Sequence, residues 1–296
     1  MGSRIPDAER GNESAMKIAI CGKGGSGKST IVALLAEALH ERGKRVLVID
    51  SDESNAGLFR MLGFDGPPTP LLELAGGKKK LQQRLRANFT ADEEEPHMSV
   101  LQQARIRTSD IPKDYILRRN GLALVAIGKI HQALEGCACP MGALTREFLK
   151  RLELSEDEIG IIDMEAGVEH FGRGVETSLD AVLAVVEPSL ESVLLATRIR
   201  DLTADSGARF SGVLMNKVRE EAVRQRLTSE LVKDGLSLLG VVRYHPDIAA
   251  ASLSGGLPSG GPWRDEIVAA VDAIGWTSAE AGPAFNSGPN RDTNNP

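Results

Sequence analysis

The residues Gly22, Lys23, Gly24, Gly25, Ser26, Gly27, Lys28, Ser29 and Thr30 follow the short apolar run Lys17–Cys21 and precede a helix-periodic segment, 28–42. No other stretch limits the fold as strongly. Four glycines in six residues let backbone N–H groups turn inward on a polyanion, and a helix N-terminus just behind them adds its dipole. The spacing fits G-x-x-x-x-G-K-[ST]. In that pattern the lysine, here Lys28, reaches the terminal phosphates, and the hydroxyl, here Ser29, faces Mg²⁺. A strand before the loop and a helix after it supply the context the motif needs.

The chain around the loop has the same grammar. Arg45–Asp50, Leu122–Ile127, Ile159–Asp163, Ala181–Val186, Phe210–Met215 and Leu238–Val242 are continuous apolar runs, separated for the most part by helical segments such as Leu144–Leu152 and Leu190–Thr203. Strands apolar throughout belong to a parallel sheet covered on both faces. The expected architecture is α/β: a doubly wound, mostly parallel sheet of roughly six to eight strands flanked by helices on both faces. One domain is expected over 16–278, with a variable insertion at about 64–120 that carries GPPTP, GGKKK and DEEEP. Residues 1–15 and 279–296 are polar and are expected to be disordered extensions.

Composition excludes more than it selects. Of 296 residues 42% are hydrophobic, enough for a sizeable core, and the formal net charge is −6. A net-acidic chain has no global attraction for nucleic acid or an anionic bilayer. There is no apolar run of membrane-spanning length and no signal-peptide h-region, and the three cysteines form no disulfide framework. Expectation therefore falls on a cytoplasmic protein with no nucleic-acid or membrane partner.

Lys23, a second lysine just after the first glycine, makes the string KGGSGKS resemble the deviant Walker A motif of the MinD/ParA-like ATPases, a P-loop family that includes the nitrogenase iron protein. The resemblance implies that Gly22–Thr30 bind ATP and that Lys23 crosses a homodimer interface to stabilise charge on the partner's ATP. It extends to Asp50 and Asp52, which resemble the first switch: Asp52 would orient or activate the attacking water and Asp50 would sit near the Mg²⁺ shell. Glu53 stands where the family often has proline. Asp163 to Gly167 matches the D-x-x-x-G of the second switch, in which Asp163 would hold a Mg²⁺-bound water. Asn216, followed by Lys217 after a strand, resembles the family's adenine-side asparagine.

Two of the three cysteines lie one residue apart, in Glu135-Gly136-Cys137-Ala138-Cys139-Pro140. Thiolates at the start of a helix near Pro140 are favoured by its dipole and bind soft or borderline cations: Zn²⁺, Ni²⁺ or Cu⁺. One C-x-C supplies two ligands and a closed site needs four, so either the pair is an unliganded buried one or a second copy completes the site across a two-fold interface. Beside a dimerising ATPase motif, the metal reading prevails. KGGSGKS, EGCACPMGAL and DMEAGVEHFGRG together resemble the CooC-type nickel ATPases. That resemblance implies an ATP-hydrolysing metallochaperone with cofactors ATP and Mg²⁺. It would hold Ni²⁺ or Zn²⁺ at Cys137 and Cys139 across a homodimer and assist nickel insertion into an apo client such as carbon monoxide dehydrogenase. Two alternatives stand beside it: a MinD/ParA-type spatial organiser, and an iron–sulfur electron donor resembling the nitrogenase iron protein. His170 reads as a packed or solvent-facing histidine, and Cys21 as core.

Overall fold

The computed structural model describes residues 15–53, 56–81, 83, 103–128, 139–168, 171 and 174–274, with the backbone alone at Cys139, Pro140 and Glu176. Residues 1–14 of the expected extension, the tail at 279–296, residues 82 and 84–102 of the insertion, Cys137 and His170 lie outside this set. Ten strands are described: β1 Met16–Gly22, β2 Arg45–Asp50, β3 Ile106–Arg107, β4 Leu117–Arg119, β5 Leu122–Ala126, β6 Leu152–Glu153, β7 Glu158–Asp163, β8 Ala181–Val186, β9 Arg209–Val218 and β10 Leu238–Arg243. The principal helices are α1 Lys28–Glu41, α2 Cys139–Arg151, α3 Leu190–Ala204, α4 Glu221–Lys233, α5 Pro246–Leu253 and α6 Trp263–Ile274.

Eight strands form one sheet in the order β10-β9-β8-β1-β7-β2-β5-β4, and β3 pairs with β6 in a separate ladder. All neighbours in the large sheet run parallel except β4 and β5. The seven runs read from the sequence are seven of these strands. The eighth, β4, comes from the end of the insertion. Arg119 pairs with Leu122 across Asn120-Gly121, whose φ values of 47° and 88° build a two-residue hairpin. Positive φ at both turn residues matches the strands' right-handed twist, which is why Asn-Gly serves there.

Side chains alternate across the sheet. Ile18 and Ile20 of β1 join Ile31, Leu34 and Leu35 of α1 and Ile267 and Val271 of α6 on one face. Ala19 and Cys21 face the other way, toward Leu144, Phe148 and Leu149 of α2. Cys21 is thus core, 1% exposed. The insertion adds Leu71, Leu72, Leu81, Ile106, Ile111 and Ile116 to this second face. A third cluster joins β8 and β9 to Val193 and Ala196 of α3 and Leu227 and Leu231 of α4. Parallel register leaves the C-terminal ends of β1, β2, β7, β8 and β9 at one edge, where ligands of open α/β sheets bind.

Candidate functional site

β1 delivers the glycine-rich loop to that edge. Gly22 pairs with Val185 of β8, so a side chain there would run into the Val185 carbonyl. Gly25 and Gly27 adopt φ of 80° and 93°, and a Cβ on Gly27 would occupy the place of the Asn216 carboxamide. Three donors hold the loop's carbonyls. Lys28 Nζ donates to Lys23 O at 3.3 Å, Asn216 Nδ2 donates to Ser26 O at 2.8 Å, and Lys217 Nζ donates to Gly25 O. Drawing carbonyls to these donors leaves N–H groups for an anion. Helix α1 begins at Lys28 with no side chain capping its N-terminus, and a helix N-terminus favours an anion. The Ser26 hydroxyl is buried without a hydrogen-bond partner among the described residues. A buried donor in that state suits a phosphate oxygen.

Three carboxylates meet the loop from the neighbouring strands. Asp50 ends β2 and Asp163 ends β7, and the two are register partners. Asp50, Asp52 and Asp163 are 5%, 7% and 0% exposed. Burial pushes the Asp163 carboxyl up to about 7; the Ser29 hydroxyl bonded to it and nearby Lys28 pull it down, while Asp50 and Asp52 push it further up. A buried carboxylate pressed by two others is the environment a divalent cation neutralises, so the residues fit Mg²⁺. Beyond Asp163, Gly167 N donates to Gly22 O at 3.3 Å, tying the second switch to the root of the loop.

Lys23 leaves the loop in a different direction from Lys28. Its ammonium lies 2.8 Å from Glu191 Oε2 and 3.5 Å from Glu187 Oε1, and the hydrogen bond to Glu191 holds its pKa above the ordinary lysine value. Asn216 Oδ1 accepts from Lys217 N at 2.9 Å, and Lys217 has φ 61°. Past them opens a cavity of about 530 Å³ lined by Gly27, Thr30, Leu34 and Asn216, with Arg219 and Tyr244. The Arg219 guanidinium sits 3.5 Å from the centre of the Tyr244 ring.

The structure therefore brings Gly22–Thr30, Asp50, Asp52, Asp163 and Asn216 to one edge. Cys137 lies outside the described residues. Cys139 begins α2, and its side chain is undescribed. Among the described residues no three His, Cys, Asp or Glu side chains make up a metal site by themselves, so Mg²⁺ would need Ser29 and phosphate oxygens beside Asp50 and Asp163. Glu187, Glu191, Lys217, Arg219, Tyr244 and Thr145 are additions to the sequence-derived set. Glu187 and Lys217 follow or end strands at the ligand edge, a positional signal the sequence does carry. The others come to the site only through folding.

A family model described as the CobQ/CobB/MinD/ParA nucleotide binding domain matches residues 17–258. An ATP-binding protein of Methanocaldococcus jannaschii is 41% identical over 243 residues, 81% of this chain and 92% of that one. The carbon monoxide dehydrogenase accessory protein CooC of Rhodospirillum rubrum is 35% identical over 240 residues, 81% of this chain and 88% of that one. The MinD of Pyrococcus horikoshii in complex with Mg-ADP superposes with a TM-score of 0.62 at 17% identity, over 88% of this chain and 96% of that one, a likeness of fold. With the loop, its acidic neighbours and this match in hand, the chain belongs to the CobQ/CobB/MinD/ParA nucleotide-binding family and is a P-loop ATPase.

Proposed function

We propose that this ATPase is a metallochaperone: a homodimer that hydrolyses ATP and carries nickel, or zinc, on Cys137 and Cys139 for delivery to carbon monoxide dehydrogenase or a related nickel enzyme. The carrying observation is the start of α2. Cys139 is its first residue, and two turns on, the Thr145 hydroxyl lies 3.1 Å from the hydroxyl of Ser51, the residue between Asp50 and Asp52. Thr145 also donates to Met141 O at 3.0 Å and is buried. The helix that opens on the thiol motif is thus bonded directly to the turn that meets the γ-phosphate. Similarity to CooC supports the client class.

In the chemical step the loop's N–H groups and Lys28 hold the β- and γ-phosphates, and Ser29, Asp50 and Asp163 are the residues that would hold Mg²⁺. When bound, Mg²⁺ neutralises charge on the phosphate oxygens. Asp52 orients a water and takes its proton as the water oxygen bonds to the γ-phosphorus. The bond from that phosphorus to the bridging oxygen breaks, giving ADP and phosphate. Lys23 supplies positive charge to the equatorial oxygens of the partner's ATP. The base occupies the cavity beside Asn216, Arg219 and Tyr244. Adenine there can stack on the Arg219 guanidinium or the Tyr244 ring.

Metal stoichiometry tests the reading. With ATP and Mg²⁺ the protein is expected to bind about one Ni²⁺ or Zn²⁺ per dimer. The pair Cys137→Ser and Cys139→Ser should abolish this and leave ATP binding intact. Unchanged metal binding in that variant rejects the reading. A second reading, spatial organisation, draws on a 26% identical relative, the septum site-determining protein MinD of Thermotoga maritima. Strong ATP-dependent pelleting with liposomes or DNA would promote it. A brown, cluster-absorbing protein after anaerobic purification would instead favour electron transfer.

A further inference from the structure

Lys23 and Lys28 belong to one loop, yet their ammonium groups serve different neighbours. Lys28 is 6% exposed and turns onto the loop itself. Lys23 reaches Glu191 of α3 at 2.8 Å and Glu187, just after β8, at 3.5 Å. Both acids are well placed to hold a cation. Glu191 lies in the first turn of α3, below the Ser189 cap whose hydroxyl accepts from Ser192 N, and a carboxylate there is favoured by the helix dipole. Glu187 directly follows β8 and is shared: its other oxygen lies 3.9 Å from Lys217 Nζ, the group that donates to Gly25 O. Glu191, Lys23, Glu187, Lys217 and the Gly25 carbonyl thus form one alternating chain of charge along the outside of the phosphate loop.

We propose that Glu187 and Glu191 are positioning residues that restrain Lys23 on its own subunit until ATP is presented to it. This rests on the reading above that Lys23 acts on phosphate. Reaching across to the partner's triphosphate draws Lys23 away from these carboxylates, so engagement exchanges intramolecular ion pairs for contact with phosphate. An exposed pair of this kind shifts such an equilibrium by roughly two- to five-fold. The restraint keeps the Lys23 charge on its own subunit until a second copy arrives. Glu187 has a further effect: by sitting between Lys23 and Lys217 it separates two like charges that would otherwise repel across Gly25.

The test is steady-state ATPase activity of the full chain at low ionic strength, across a range of protein concentrations. Five proteins are compared: wild type, Glu191→Gln, Glu187→Gln with Glu191→Gln, Lys23→Ala, and the triple variant. Freeing Lys23 should raise kcat/KM two- to five-fold in the double variant, and lower by a similar factor the protein concentration giving half-maximal specific activity. Glu191→Gln should show a smaller gain in the same direction; Glu191 is largely exposed, so this single variant keeps its fold. Lys23→Ala should lose activity, and the triple variant should show no gain over Lys23→Ala. A gain that persists in the triple variant overturns the proposal, because the acids would then act without Lys23. Unchanged or reduced activity in both glutamine variants, with thermal stability intact, overturns it too while leaving the role of Lys23 standing. Full activity in Lys23→Ala would remove the reading on which the proposal rests.

Discussion

The Ser51 and Thr145 hydroxyls lie 3.1 Å apart, joining the turn after β2 to the helix that begins at Cys139. Thr145 is 1% exposed, and its hydroxyl also donates to Met141 O. Thr145→Val keeps the shape and removes both bonds. The expected stability loss is about 1 kcal/mol, read by urea unfolding. ATP turnover should persist, whereas the effect of ATP on metal affinity should shrink, read by competition with a chromogenic chelator with and without nucleotide. Nucleotide-dependent metal affinity equal to wild type would count against the link.

Asp163 predicts a pH signature in the nucleotide-free protein. Its carboxyl is pushed from 3.8 up to about 7, first by burial. A raised carboxyl favours folding while protonated, so its contribution is complete below about pH 4 and is lost as pH rises through about 7. At about 1.4 kcal/mol per unit, the shift bounds the effect at about 4 kcal/mol. Asp163→Asn, which cannot ionise, should flatten that part of the stability–pH curve and gain most over wild type near pH 8. Denaturant titrations at pH 5 and pH 8 measure this. The same substitution should abolish hydrolysis.

Gly27 combines a φ of 93° with contact against the Asn216 carboxamide. Alanine there pays for a left-handed backbone, roughly 1–2 kcal/mol, and must also displace Asn216 from Ser26 O. Gly27→Ala is expected to lower Tm by several degrees and to eliminate ATP binding, measured by calorimetry. A variant that binds ATP normally would contradict the close fit of β9 against the loop.

Arg219 and Tyr244 stack at 3.5 Å beside the base-side cavity. Arg219→Ala should raise the KM for ATP roughly three- to thirty-fold, the scale of one lost stacking contact, with kcat little changed. Inhibition by inorganic tripolyphosphate, which has no base, should stay at the wild-type constant. Equal weakening of both ligands would mean that the substitution disturbs the loop instead.

The sheet was legible in the sequence wherever strands were buried on both sides, because there apolar residues run without interruption. β4 escaped that test. Leu117–Arg119 is short and two of its three residues are exposed, so only the Asn120-Gly121 turn signals it. The nucleotide loop was legible for a different reason: its chemistry lies in consecutive residues, and contiguous motifs survive without knowledge of the fold. Contacts such as Lys23 with Glu191, Lys217 with Gly25 and Ser51 with Thr145 join segments far apart in the chain. They depend on strand order and register, which no local pattern encodes. Even Asn216 carries more than its motif suggests, since its Nδ2 braces the loop at Ser26 O while its Oδ1 accepts from Lys217 N.

Asp50 and Asp163 occupy the same rung of neighbouring central strands. Neither can slide or swing at its base without tearing a ladder flanked on both sides. Ser51 N and Met164 N still donate to Asp163 O and Ile20 O, so whatever travels when ATP becomes ADP must start after Ser51 on one side and after Met164 on the other. The paired acids act as a common anvil, and the moving parts are hinged to it. Amide hydrogens on that rung should be among the last in the molecule to exchange, in every nucleotide state, while those a few residues downstream keep time with the reaction.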